Sequence, residues 1–354
     1  MLFPYKYIRH DMQKMQKYMD FIFLEVCFKA KELGDFESSL FTANSEVEDI
    51  IRAYYFIPTA PEWGKFFVEK IKNIFDYCKV LDDTQIRTLK RWYKDNNKIE
   101  KLCKNEANPV TYTQLKSFHE DLAKEIKALY KKLYGKDILE VAKIKENLGT
   151  TLDKHYKKFF TKNSDYEVCP FCGLSPMLGI NHTKKEAYDH YLPKSKYPFN
   201  SINFKNLAPM CHHCNSSYKT VKSPIFDSED NRRKAFFPYK GGTTDINIKI
   251  TIHKNDIRKV KSTDLELEIT SPYQEEADTW KDVFGIDERY KAVCSGKNKT
   301  YWLNQILDEA PKYRMSKADY YKIKKEEFDK YPYTNEYNFL RVPFLEACKE
   351  AEIL

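Results

Sequence analysis

The stretch that decides the fold is MCHHCNSSYK, residues 210–219, in which two cysteines, two histidines and an asparagine occupy five successive positions. A second cysteine pair, CPFC, stands at residues 169–172. Cysteines spaced as C-x-x-C place two thiols in one turn, and two such pairs are typical of a closed, four-thiolate zinc site. We therefore predict a structural zinc whose ligands are Cys169, Cys172, Cys211 and Cys214.

The alternative for these four residues is a set of reduced structural thiols without a metal. A redox role is less favoured, because the sequence has no thioredoxin-like βαβ pattern around either pair. The remaining cysteines are isolated in apolar or helical surroundings, and we predict that they are buried small hydrophobes: Cys27, Cys78, Cys103, Cys294 and Cys348.

Composition indicates a folded chain with enough apolar surface for more than one core. Of the 354 residues, 42% are hydrophobic, 15% aromatic and 32% charged, which excludes a largely disordered chain. No apolar run approaches the length of a membrane span, and the first residues, MLFPYKYIRHDMQK, carry charges where a signal peptide would be apolar. We expect a cytoplasmic protein with no membrane partner.

The net charge of +8 is unevenly distributed. Residues 51–150 and 151–250 carry +6 and +7, whereas residues 1–50 and 251–354 carry −3 and −2. Positive charge around the cysteine pairs favours a polyanion such as nucleic acid as partner. A lysine-rich solvated surface is the alternative explanation of the same excess.

The hydrophobic periodicity changes twice along the chain. From about residue 10 to 160, apolar residues recur at steps of three and four, which predicts a helical bundle. Residues 164–222 are irregular, and the segments DINIKITIHK and DLELEIT then alternate as two antiparallel strands, predicting a hairpin at 246–270 before helical spacing returns. We predict a helical domain at 1–163, a motif-bearing unit at 164–222 and a mixed α/β region at 223–354.

The 38 residues between Cys172 and Cys211 carry a second set of polar residues. Asp189-His190 is followed by Pro193, then by Asn206-Leu207, and Asn215 directly follows the last cysteine. This order resembles the zinc-bearing HNH endonucleases of the His-Me finger (ββα-metal) group, over about fifty residues. The resemblance implies a central ββα-metal unit; together with the helical periodicity and the later hairpin, we predict an α+β, mainly helical protein.

The resemblance also implies a role for each motif residue. His190 would be the general base, which suits an imidazole because its ordinary pKa lies near neutrality, and Asn206 would hold that imidazole through a hydrogen bond. Asp189, pointing to the opposite side of an extended strand, and Asn215 would bind the catalytic metal. Oxygen-type ligands with open positions suit Mg²⁺ or Mn²⁺.

Three lysines, Lys194, Lys205 and Lys219, are predicted to contact backbone phosphates. His212 and His213 have no role in the family pattern and are interpreted as exposed residues of a first helical turn. A zinc nucleobase deaminase is excluded, because no histidine is followed by Glu two residues later.

We therefore predict a metal-dependent HNH endonuclease that hydrolyses nucleic-acid phosphodiester bonds, with DNA favoured over RNA. The arrangement is loosely similar to nucleases that bacteria encode beside an ATPase for defence against phage, which implies an ATPase partner. Two alternatives stay open: an RNA nuclease, for example on tRNA, with the same mechanism, and a non-catalytic zinc-stabilised nucleic-acid-binding module.

Overall fold

The computed structural model of the chain describes residues 1–354 except Tyr166, residues 240–243, Asn255 and Asn335. The chain folds into two compact units. The first, here called the helical unit, comprises Tyr7–Lys162 and Tyr188–Pro209. The second, the cysteine unit, comprises Met1–Lys6, Asn163–Ala187 and Met210–Leu354.

The helical unit contains eleven α-helices among its described residues. They are α1 (Lys14–Phe21), α2 (Ala30–Leu33), α3 (Ser45–Tyr54), α4 (Glu62–Val80), α5 (Asp83–Asn96), α6 (Ile99–Cys103), α7 (Tyr112–Phe118), α8 (Glu120–Leu133), α9 (Lys136–Leu139), α10 (Ala142–Leu148) and α11 (Leu152–Lys162). Irregular or shorter helical turns lie at Asp11–Gln13, Ile22–Val26, Cys27–Lys29 and Ser38–Phe41. Residues 14–162 are thus mainly helical, as the spacing of their apolar residues indicates.

The apolar periodicity of α8 shows why this unit folds as it does. Leu122, Ile126, Leu129 and Leu133 lie on one face of the helix, and each is at most 1% exposed. Burying each such side chain contributes roughly 1.5–3 kcal/mol. Residues 104–111 separate α6 from α7, and the Thr111 hydroxyl accepts a hydrogen bond from the Gln114 N–H in a capping box at the start of α7.

The helical unit also contains a short antiparallel sheet. Strand β1 (Tyr188–His190) pairs with β2 (Leu207–Pro209), and His190 lies opposite Leu207. The side chains of Phe199, Ile202 and Leu207 are part of the main apolar cluster of this unit. The loop between the strands is thus fixed by the same core that holds the helices together.

The cysteine unit contains a second two-stranded sheet and five α-helices among its described residues. The strands are β3 (Asn247–Ile252) and β4 (Leu265–Thr270), and the helices are α12 (Gln274–Phe284), α13 (Ile286–Ser295), α14 (Lys297–Glu309), α15 (Lys317–Lys330) and α16 (Asn338–Glu350). Shorter or wider helical turns lie at His213–Lys219, Ile257–Lys259, Ser262–Asp264 and Ala310–Tyr313.

The hairpin expected at 246–270 is present as the antiparallel pair β3–β4, and the structure adds its register. Ile248 lies opposite Ile269, and Ile252 lies opposite Leu265. The two apolar sets therefore share one face of the sheet, as strict alternation in both segments requires.

The structure supports the α+β class in its coarser form, a mainly helical protein with two small antiparallel sheets. The predicted segment 164–222 is shared between the two units, since residues 188–209 belong to the helical unit and its flanks to the cysteine unit. Across the described residues, every helix is too short or too polar to cross a lipid bilayer.

Candidate functional site

The four predicted cysteine ligands come together in the cysteine unit. Their sulfur atoms all lie within 4.8 Å of one another, and all four side chains are buried. The Sγ atoms of Cys172 and Cys211 are 3.9 Å apart. Within the described residues, this is the one cluster of three or more Cys, His, Asp or Glu side chains with metal-binding spacing.

The first cysteine pair, Cys169 and Cys172, lies in a tight turn that directs both thiols toward the same point. The Gly173 N–H donates to the Cys169 carbonyl at 2.7 Å, and the Leu174 N–H donates to the Cys172 sulfur at 3.4 Å. Gly173 has φ +68°, and a Cβ there would lie 2.5 Å from Cδ1 of Leu2. Only glycine fits this position without strain.

The second pair begins a short helix and receives a charged contact from a distant part of the chain. The Cys211 carbonyl accepts a backbone hydrogen bond from the Asn215 N–H at 3.0 Å. Nη1 of Arg289 lies 3.2 Å from the Cys214 sulfur, and its guanidinium lies over the Tyr218 ring at 4.5 Å. A nearly buried guanidinium beside a sulfur favours the thiolate form that a metal ligand needs.

The thiols have divergent acidities because they share hydrogen bonds inside a buried cluster. Hydrogen bonds from the neighbouring thiols hold the pKa of Cys172 well below its usual value. Burial raises the pKa of Cys169 and of Cys214. A divalent cation would offset the cost of several buried thiolates, because it is bound by the deprotonated form.

These residues fit a tetrahedral zinc ion. Four sulfurs at the usual Zn–S distance of about 2.3 Å are roughly 3.8 Å apart, which agrees with the 3.9 Å separation of Cys172 and Cys211. The prediction that these four cysteines can hold a metal ion such as zinc is therefore supported by their position. Four thiolates complete the coordination shell, so the ion would be structural.

The Asp-His pair lies on β1 in the helical unit. Asp189 pairs with Ala208 and is 6% exposed, while His190 pairs with Leu207 and is half-buried. Successive strand residues point to opposite faces. The carboxylate and the imidazole therefore leave the strand on different sides, as the sequence predicts.

Asn206 makes different contacts from the predicted hydrogen bond to the imidazole. Its side-chain oxygen accepts the Leu192 N–H at 2.7 Å, and its Nδ2 donates to the Leu192 carbonyl at 3.0 Å. It does not hold the imidazole directly. A fully buried amide satisfies both backbone groups of Leu192 and so closes the base of the loop that begins after His190.

The imidazole of His190 is held by a backbone carbonyl from the same loop. Its Nε2 lies 2.9 Å from the Ser201 oxygen, and its ring meets the Tyr134 ring edge-on at a centroid distance of 5.0 Å. A carbonyl oxygen only accepts hydrogen bonds, so Nε2 carries the proton and the lone pair lies on Nδ1. Asn206 thus supports His190 indirectly, through the loop that carries Ser201.

Replacing Asn206 by alanine is expected to destabilise the helical unit by about 2–6 kcal/mol, because two buried backbone groups of Leu192 lose their partners at about 1–3 kcal/mol each. Urea unfolding followed by circular dichroism measures the change. Lys205→Ala is the matched control in the same loop, since the Lys205 side chain is exposed and takes no part in the Leu192 contacts. Equal losses in both variants would contradict the bracing role.

A buried histidine, His155, holds the first residue of β1, Tyr188, through a hydrogen bond. His155 on α11 is 2% exposed, and its Nδ1 hydrogen-bonds the Tyr188 hydroxyl. Its ring lies 4.4 Å from the Phe204 ring and meets the His10 ring edge-on at 5.1 Å. Burial lowers the pKa of His155 to about 3, with the charges of His10 and Lys158 acting in the same direction.

Stability of the helical unit is therefore expected to fall as pH drops below about 6.5 toward 3. In that window the unfolded chain protonates His155 and the folded chain does not, so the free energy of unfolding decreases by up to about 1.4 kcal/mol per pH unit. Burial also lowers the pKa of His10, which adds to the same pH dependence. His155→Phe should therefore reduce the dependence of stability on pH without removing it. Urea midpoints at pH 7, 6 and 5 measure this. An unchanged slope in His155→Phe would contradict the assignment.

The three predicted phosphate-contacting lysines have different environments. Lys205 is exposed. Lys194 is half-buried, with its ammonium 5.9 Å from the Tyr134 ring centre, and burial lowers its pKa. Lys219 is fully buried, so in this structure it does not reach a phosphate in solvent, contrary to the sequence prediction.

Residues 212–215 belong to the cysteine unit, whereas Asp189 and His190 belong to the helical unit. His212 and His213 are exposed, in agreement with their interpretation as solvent-facing residues, and their rings meet edge-on at 6.1 Å. Asn215 is half-buried on the helical turn. Its predicted metal-binding role stays a sequence prediction.

Sequence reasoning missed three residues that complete these sites. Ser201 contributes only a backbone oxygen, which no side-chain pattern can reveal. Tyr134 and Arg289 lie 56 and 75 residues along the chain from His190 and Cys214, in helical segments whose periodicity indicates packing alone. Comparison of the chain with models of protein families, with curated proteins and with solved structures found no match.

Proposed function

We propose that this chain is a metal-dependent endonuclease of the HNH type that hydrolyses phosphodiester bonds of nucleic acid, with DNA as the substrate. The observation that carries the proposal is the β1–β2 hairpin, in which Asp189 and His190 occupy adjacent, oppositely facing positions. The Asn206 amide closes the intervening loop, and the buried four-cysteine cluster is formed by the sequence on both sides of the hairpin.

His190 would act as the general base. Its Nε2–H is fixed by the Ser201 carbonyl, so Nδ1 would take the proton from the attacking water. The nucleophilic oxygen then attacks phosphorus, the P–O bond to the leaving group breaks, and the departing oxygen takes a proton from water. Fixing the imidazole beforehand lowers the entropic cost of positioning the base.

Asp189 would be a ligand of Mg²⁺ or Mn²⁺. A carboxylate is the ligand type that such hard cations prefer, and the ion when bound would neutralise charge on the phosphate and the leaving oxygen. The proposal for Asn215 as a further ligand comes from sequence order alone, and an Asn215→Ala variant tests it separately from Asp189→Ala.

The test is a cleavage assay with plasmid DNA, single-stranded DNA and total tRNA, each with Mg²⁺, Mn²⁺ or EDTA. His190→Ala purified in parallel reports any contaminating nuclease, and His182→Ala, which removes an exposed histidine, is the matched control. Cutting that requires the metal and His190 supports the proposal, and the substrate that is cut decides between DNA and RNA.

Two outcomes would contradict the proposal in its present form. Equal, metal-independent cutting by all variants would mean that the activity belongs to a contaminant. Tight binding of nucleic acid without cutting, unchanged in His190→Ala, would favour the non-catalytic binding module.

We also propose an ATPase as partner, so the assay is repeated with any ATPase that copurifies.

A further inference from the structure

A strongly basic cavity lies in the cysteine unit, outside the motif-bearing segment. Its volume is about 760 Å³, and it is formed by the loop between β3 and β4 together with the start of α14. Four lysines and one arginine line it, and no carboxylate is among the lining residues. The five cationic residues are Lys254, Arg258, Lys259, Lys261 and Lys299.

The positive charge of this basic cavity is only partly compensated by neighbouring acids. Nζ of Lys259 lies 3.3 Å from Asp256, and Nζ of Lys254 lies 3.7 Å from Asp264. Both pairs are partly or largely exposed, so each contributes little and readily exchanges its carboxylate for another anion. Arg258 and Lys261 are exposed and have no ion pair with a described residue.

Residues 256–264 of this loop, which carry Arg258, Lys259 and Lys261, are fixed to the fold. Val260, at its centre, is 2% exposed. Its carbonyl accepts a hydrogen bond of 2.6 Å from Nζ of Lys299 on the first turn of α14. The Asp256 side chain caps the short helical turn by accepting the Arg258 N–H at 3.1 Å. A fixed loop holds the cations together without a large entropic cost on binding.

The junction between α13 and α14 forms one side of the same cavity. Ser295, the last residue of α13, and Lys299, in the first turn of α14, both line it. Lys299 therefore adds a cation from a regular helix to those of the loop.

We propose that the basic cavity binds the phosphodiester backbone of a nucleic acid. The spread of five cations over this volume fits several neighbouring phosphates better than one small anion, and the exposed lining lacks the aromatic platform that would read bases. The choice of nucleic acid among polyanions rests on the proposed function. The site would therefore contribute affinity without sequence specificity, and binding would weaken steeply with salt.

The test measures binding without cleavage. Protein carrying His190→Ala, with no chelator and no added Mg²⁺ or Mn²⁺, is titrated at several NaCl concentrations against a fluorescent DNA duplex of about twenty base pairs, a length chosen to span about two helical turns. The loop variant combines Arg258→Ala, Lys259→Ala and Lys261→Ala. The matched control, which removes the same charge from exposed lysines elsewhere in the cysteine unit, combines Lys312→Ala, Lys317→Ala and Lys322→Ala. Arg258→Lys keeps the charge.

We expect the loop variant to bind at least about tenfold more weakly and to reduce the salt slope by roughly 2–3, because each lost phosphate contact removes about 0.9 from that slope. The control variant and Arg258→Lys should stay within about twofold of the parent. Equal effects of loop and control variants, or no binding by the parent, would overturn the proposal. Loop-dependent binding to phosphatidylserine vesicles without binding to the duplex would overturn it in favour of a lipid surface.

This test is independent of catalysis. Loss of loop-dependent binding with normal cleavage in the wild type would reject the basic cavity alone. Loop-dependent binding by a wild type that cuts nothing would reject the proposed reaction and keep the cavity as a nucleic-acid site.

Discussion

Replacing His190 by alanine is expected to lower the cleavage rate by about a thousandfold or more, without loss of zinc or of folded structure. General-base catalysis contributes about 10²–10⁴ in rate, and the water would then have to ionise unaided. The imidazole is half-buried at the end of β1, so its removal should cost no more than the roughly 1–3 kcal/mol of its hydrogen bond to the Ser201 carbonyl. Single-turnover cleavage with saturating enzyme measures the rate.

A glutamine at this position separates the base from its hydrogen bond. The amide of His190→Gln can still donate to the Ser201 carbonyl, which now accepts from Nε2 of His190, but it has no basic nitrogen near neutral pH. We therefore expect His190→Gln to be as inactive as His190→Ala and as stable as the wild type. Added imidazole should partly restore His190→Ala, which leaves a gap of the right size, and not His190→Gln.

A rate within about tenfold of the wild type in His190→Gln would show that the residue positions other groups and is not the base. Activity lost by His190→Ala and retained by Asp189→Ala would show that the Asp189 carboxylate is not the metal ligand on which cutting depends. These outcomes are separable because Asp189 and His190 leave the strand on opposite faces.

Regular elements of this fold are predictable from the sequence because their apolar residues repeat locally. The spacing of Leu122, Ile126, Leu129 and Leu133 predicts α8, and alternating isoleucines predict β3. The cysteine cluster is predictable because its signal is also local: two C-x-x-C pairs in one chain are typical of a metal site. Each of these signals lies within a window of a few residues.

Long-range contacts have no such signal. Nothing in the sequence around Arg289 indicates that its guanidinium lies 3.2 Å from Cys214. The assignment of residues 188–209 to the helical unit depends on side chains such as Phe199 and Leu207 joining a distant core. Periodicity identifies which residues are buried and leaves open what they are buried against.

Charge averaged over long windows also conceals a local site. Residues 251–354 carry −2 overall, yet the loop after β3 contains four of the five cations that line the basic cavity. Conversely, Lys219 follows the motif closely and is fully buried. A lysine's position in the sequence does not decide whether its ammonium reaches solvent, because the aliphatic stem also packs well inside a fold.

Replacing Cys211 by alanine is expected to abolish zinc binding and to unfold the cysteine unit at ordinary temperature. Structural zinc sites bind with apparent free energies of about 10–16 kcal/mol, whereas whole domains are stable by only about 5–15 kcal/mol. Losing most of the metal contribution therefore exceeds what the remaining contacts can offset. Zinc content by atomic emission and thermal unfolding by circular dichroism measure the two effects together.

Cys211 is a better choice than Cys214 for this experiment. The Cys214 sulfur also accepts a hydrogen bond from Arg289, which is 7% exposed. Replacing Cys214 would therefore leave a nearly buried guanidinium without that partner and add an electrostatic cost. Cys294→Ala is the matched control, because Cys294 is 1% exposed in the same unit and lies outside the cluster. It should lose only about 1 kcal/mol of stability and keep one zinc per chain.

The alternative, four reduced thiols packed as a small core, predicts a different pattern. Without a metal, Cys211→Ala would resemble Cys294→Ala, and a strong chelator would leave thermal unfolding of the wild type unchanged. With a metal, the chelator should lower the unfolding temperature of the wild type, and added Zn²⁺ should restore it. Zn²⁺ should not rescue Cys211→Ala, because the three remaining thiolates leave the tetrahedral shell open to water.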